Sequence, residues 1–164
     1  MKNFFFYDPK LLLYGFLIIF FASYGQTFFI SLFNTEIRKF YGLSDGEFGL
    51  VYAAATLLSS FLLISFAKLI DHLDLRLYSF IITLGFLCAC LGMVILINNI
   101  LYLFLVIFML RFFGQGAMDH AGGTTMARYF GNDKGKALSV ATLGGMIGVM
   151  FLPYFALNIF RDTE

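Results

Sequence analysis

Five long apolar runs set the terms on which this chain can fold. Their approximate limits are Leu11–Phe33, Glu47–Ile70, Leu77–Ile97, Leu101–Gly123 and Ala137–Phe160 (11-33, 47-70, 77-97, 101-123 and 137-160). A hydrocarbon core about 30 Å thick is crossed by roughly 20 apolar residues in a helix, and each run reaches that length with few charges. Composition closes off the soluble alternative. The chain is 60% hydrophobic and 13% charged, with a mean hydropathy of +0.87. Soluble domains carry about 25% charge, and a small one buries only about 70% of its chain surface. So much Phe, Leu and Ile needs lipid as a solvent for its outer face. The expected class is an all-α membrane protein of about five transmembrane helices.

The first run is too long for the apolar segment of a cleaved signal, about 7–15 residues, and reads as a membrane helix. Ser44-Asp45-Gly46-Glu47 fits a capping box opening the second. Asn98 and Asn99 separate the third and fourth so briefly that these two must form an antiparallel hairpin. Basic residues alternate in number from loop to loop. Lys2, Lys10, Lys68, Arg76, Arg128, Lys134 and Lys136 fall on one side, and Arg38, Lys39 and Arg161 on the other. The bias toward cytoplasmic Lys and Arg predicts a cytoplasmic N-terminus in a multi-pass protein of the cell (inner or plasma) membrane.

Several residues are costly in lipid, Arg111 above all. It lies near the middle of the fourth run, about 15 Å from either end. An arginine there costs about 2.5–3.5 kcal/mol on insertion scales, so a partner, water or an anionic ligand must offset it. No acidic residue is expected at its depth. Three readings stay open: a satisfied cation that orders the bundle, a group that acts on substrate or in coupling, or span limits drawn in the wrong place. On a regular helix Gln115, Met118 and Gly122 project within about 40° of Arg111, Asp119 at about 80°, and His120 on the opposite face. Asp119 is either a proton site or an interfacial residue. In the first run Ser23, Tyr24, Thr27, Ser31 and Asn34 fall within an arc of about 100°, with Gln26 pointing elsewhere. That stripe either lines a polar pathway or bonds between helices. Tyr14, Tyr52 and Tyr154 read as packing or interface aromatics. Small residues punctuate the spans, among them Gly114, Gly116, Gly144 and Gly148, and permit close helix packing. Pro153 removes a hydrogen bond late in the fifth run.

These residues resemble a family. Ala67-Lys68-Leu69-Ile70-Asp71-His72-Leu73-Asp74-Leu75-Arg76 looks like the cytoplasmic signature of the major facilitator superfamily (MFS), Gly-x-x-x-Asp-Arg/Lys-x-Gly-Arg/Lys-Arg/Lys. Asp71 and Arg76 match, Ala67 and His72 come near, and Asp74 and Leu75 depart. Arg111-x-x-Gly114-x-Gly116 resembles the family's fourth helix, and Ala127-Arg128-Tyr129-Phe130 with Lys134-Gly135-Lys136-Ala137 resembles the basic turn into its fifth. Gly144, Gly148 and Pro153 are similar to that helix without the strict antiporter pattern.

The resemblance implies twelve helices in two six-helix bundles, with substrate bound between them and carried by alternating access. The resemblance is nearest in character to anion- and monocarboxylate-type members and implies a symporter. Asp71 and Arg76 would latch the cytoplasmic helix ends. Arg111 would anchor an anionic substrate or serve in coupling, with protons as a possible co-substrate through Asp119, and Tyr24, Thr27 and Gln115 would line the cavity. Residues 1-164 would be a partial N-terminal bundle, short of its sixth helix, so the chain is expected to need C-terminal helices or a partner chain. The alternative is a non-transporting membrane module or a truncated fragment that inserts but needs partners.

Other classes find little support. Net charge is +1 and suggests no nucleic-acid partner. Cys88 and Cys90 are two apart on a helix, so they point to different faces and share neither a disulfide nor a metal. With His72 and His120 the only histidines, no metal-ligand, nucleophile–base or phosphate-loop pattern arises, so no enzyme, metal or cofactor is expected.

Overall fold

The computed structural model describes residues 8–95 and 97–161. It is built of helices, with no strand among the described residues, and five are long and apolar enough to cross a membrane. These spans are Pro9–Leu32, Asp45–Asp71, Leu75–Val94, Ile100–Tyr129 and Gly131–Ala156. Lys2, counted above on the inner side, lies outside the described residues.

Local chemistry sets most span starts. Asp8 caps the first span by accepting from Leu11 N at 3.0 Å, with Pro9 in the first turn where its missing N–H costs nothing. A short amphipathic helix, Asn34–Tyr41, follows and stops at Gly42, whose φ of 65° suits a residue without a Cβ. The expected capping box is present: the Ser44 hydroxyl accepts from Glu47 N, and the Glu47 carboxylate accepts from Ser44 N at 2.8 Å. Asp74 caps the third span through Arg76 N at 2.9 Å, and Asn99 caps the fourth through Leu101 N at 2.8 Å.

The fourth span is the axis of the bundle. In its most apolar stretch 44% of residues are buried, against 11% in the second span, whose Leu50, Leu57 and Phe61 face outward. All three core clusters include it. Ile18, Tyr78, Ile82 and Phe86 of the first and third spans close on Leu110, Ala117 and Met118. Leu12, Ala137 and Ala141 of the first and fifth close on Met126 and Phe130. Phe48 and Ala55 of the second close on Leu103 and Ile107.

Close approach of the fifth span to the first needs glycine. A Cβ on Gly144 would overlap the Phe16 carbonyl, and one on Gly148 would overlap the Ser23 hydroxyl. Both glycines are buried, and the small-residue packing proposed for lipid-embedded helices has its physical counterpart here. The helix Lys134–Arg161 runs through Pro153 without interruption.

Candidate functional site

Two spans are irregular, and their irregularities face each other. The first is α-helical to Ala22, tightens into a 3-10 turn over Ser23–Gly25, becomes extended at Gln26 (φ −77°, ψ 153°), and restarts at Thr27. The fourth is α-helical over Ile100–Met109, widens into a π-helix over Leu110–Met118, and narrows again at Asp119. Gly25 and Gly114 explain the fit. A Cβ on Gly25 would sit 2.5 Å from the Leu110 carbonyl oxygen and 2.9 Å from Gly114 Cα. One on Gly114 would sit 2.7 Å from Phe86 and 2.9 Å from Gly25 Cα. Backbone meets backbone there, and π-turns of this sort often mark functional sites.

Arg111 sits at the start of the π-segment and is 8% exposed. Its Nη1 donates to the Gly25 carbonyl at 3.3 Å and to Thr27 Oγ1 at 3.0 Å. The guanidinium lies over the Tyr52 ring, 5.4 Å from its centroid, and Tyr52 donates its hydroxyl to Thr27 Oγ1 at 2.9 Å. First, second and fourth spans are thus tied through one cation. Arg111 forms no ion pair among the described residues, so its charge is met by dipoles and a π-face. Its Nε is buried without an acceptor, as Gln115 Oε1 is without a donor. Thr27 is exposed, so this polar knot lies open on one side.

Asp119, just past the π-segment, accepts from Gln26 Nε2 at 2.8 Å. Gln26 therefore joins the site that a regular helix would have turned it away from. The extended residue at the break redirects its side chain. The same break dissolves the hydroxyl stripe: Thr27 meets Arg111 and Tyr52, Ser31 bonds the Phe28 carbonyl at 2.8 Å, and Ser23 is buried against the fifth span. Tyr24 lines a separate apolar groove of about 1120 Å³ between the first, third and fourth spans, with Phe29, Phe86, Leu110 and Met118. Met118 and Gly122, projected beside Arg111, pack instead into the core and against Ile19, because a π-turn breaks the 3.6-residue register. The His120 ring and Thr124 hydroxyl lie 3.4 Å apart.

At the far end of the fourth span a second polar contact ties helix ends together. Arg128 pairs with Asp71 and donates to the Ile70 carbonyl at 3.2 Å. Asp71 thus meets Arg128, and the Arg76 side chain makes no hydrogen bond or ion pair among the described residues. Gly116 packs its bare Cα on Leu63 of the second span. Cys88 and Cys90 are free thiols. Gln26, Tyr52 and Arg128 belong to these contacts, whereas the sequence alone turns Gln26 away, reads Tyr52 as a packing or interface aromatic and places Arg128 in the basic turn. A glycine followed by glutamine inside an apolar run was the available signal for the first.

Five spanning helices with a buried cation at the crossing of two broken ones define a multi-pass membrane protein. Residues 15–161 match the family model of the Major Facilitator Superfamily, and the chain belongs to that family of membrane transporters. No curated protein and no solved structure matches the chain.

Proposed function

We propose that the chain forms part of a secondary active transporter that carries a small organic anion by alternating access. The observation that carries this reading is Arg111: a cation buried mid-span, seated on neutral groups, with no carboxylate among the described residues to neutralise it. A membrane-embedded charge in that state is a functional group by default, and its natural ligand is an anion. Thr27 and Tyr52 lie against it, and Gln115 on the same π-segment would add a polar group to orient a carboxylate. Asp119 is the coupling candidate, with the proton as its ion. The five spans would make up most of an N-terminal bundle (1-164), completed by further helices. The Lys and Arg bias supports a cytoplasmic N-terminus in the cell membrane. Asp71 with Arg128 would latch the cytoplasmic ends during the cycle, with Arg76 held ready at the same turn.

The test is uptake of a panel of small carboxylates into vesicles by the complete protein, with and without a proton gradient. A carboxylate taken up by the wild type and not by Arg111→Leu supports the reading. Full uptake by a correctly inserted Arg111→Leu protein removes Arg111 from it.

A further inference from the structure

Two charged groups of the fourth span, Arg111 and Asp119, are held by three consecutive residues of the first. Gly25 and Thr27 hold Arg111, and Gln26 between them holds Asp119. We propose that Gln26 is a positioning residue that links proton binding at Asp119 to the seating of Arg111.

The chemistry follows from donors and acceptors. An ionised carboxylate only accepts, so it takes one bond from Gln26 Nε2 and offers nothing to the amide oxygen. A proton from water, added to Asp119, gives a carboxylic acid that both donates and accepts. Acid and amide can then form two bonds: acid O–H to Gln26 Oε1, and Gln26 Nε2–H to the acid carbonyl. The amide must turn to present both atoms. Gln26 is well placed to transmit that turn, because it is the extended residue of the break. Its carbonyl accepts from Phe29 N and Ile30 N, each at 3.2 Å, so its peptide plane sets the start of the next helix. Its direct neighbours carry the two acceptors of Arg111.

Other titratable groups on the elements packed around Asp119 are engaged elsewhere or lie at helix ends. Tyr14 of the first span bonds Ser79, Asp71 at the end of the second pairs with Arg128, and Lys136 of the fifth pairs with Asp133. On its own helix His120 meets Thr124. Lys10, Lys68 and Lys134 lie near the ends of their helices. None of the ion pairs reaches Asp119.

The inference rests on the reading of Arg111 as the anchor, but its test needs no substrate. The full chain is placed in lipid nanodiscs with 15N-labelled arginine, and the pH is varied. Proton binding is read from the infrared carbonyl band that Asp119→Asn deletes. Seating is read from the Arg111 Nε–H resonance, assigned by its loss in Arg111→Lys. In the wild type the two signals should titrate together. In Gln26→Leu the carbonyl band should still titrate while the Arg111 resonance stays fixed. Should that variant fail to fold, Gln26→Glu places two carboxyls together, and band and resonance should both split into two coupled steps. An Arg111 resonance that follows the band in Gln26→Leu as in the wild type overturns the proposal. So does a wild type in which no band lost in Asp119→Asn titrates, or a Gln26→Glu protein whose resonance follows a single step. Absent carboxylate uptake with intact coupling would overturn the anion reading alone; uptake with a pH-insensitive Arg111 would overturn the coupling alone.

Discussion

The first and fourth spans are broken within the membrane, whereas the second over Asp45–Phe66 and the third over Leu75–Val94 are continuous α-helices. The difference is one of burial and chemistry together. The second span is mostly exposed and stays α-helical from Asp45 to Phe66, as suits a helix facing lipid. The first and fourth meet at Gly25 and Gly114, where protein surrounds the backbone and loosened carbonyls find partners. Non-helical backbone at membrane depth is tolerated in such a place. The polar side chains collect there for the same reason.

That contrast can be broken at several points. The largest effect is expected from Arg111→Leu, which removes the cation tying three spans. Carboxylate uptake by the complete protein should fall at least about tenfold, while membrane insertion improves by the cost of the charge, roughly 2.5–3.5 kcal/mol. A glycine pair sharpens the comparison next. Gly25→Ala forces a Cβ onto the Leu110 carbonyl and should destabilise the bundle by about 1–3 kcal/mol in detergent unfolding. Gly49→Ala in the regular second span meets nothing within 4 Å and should stabilise it by about 0.5–1 kcal/mol. Equal signs for the two would erase the distinction between the spans. The smallest effect belongs to the exposed pair. Asp71→Asn or Arg128→Gln should cost about 0.2–1 kcal/mol, and the charge-swapped double variant should recover part of it. A loss several times larger would make that contact as integral as the central knot.

Span existence was legible because twenty apolar residues in a row have few other fates. The helix ends at Ser44, Asn99 and Gly42 were local matters of capping, settled within four residues of chain. The cost of Arg111 was legible as well, from its depth alone. Its partners were not. Projection on a regular helix put Met118 and Gly122 beside it and turned Gln26 away, and it grouped Tyr24 with Thr27. Each of those placements assumes about 100° per residue, and the two breaks void the assumption where it was applied. Asp71 found Arg128, 57 residues on, because the end of the fourth span lies over that loop.

Sequence alone thus determined a five-span helical membrane chain carrying one expensive cation, since hydrophobic length and charge are summed along the chain and need no partner. Tertiary structure decided which neutral groups receive that cation, that Gln26 holds Asp119, and that Tyr24 faces a different cavity. Those outcomes turn on a 3-10 turn and a π-helix that meet at Gly25 and Gly114. No window of sequence contains both halves of that contact.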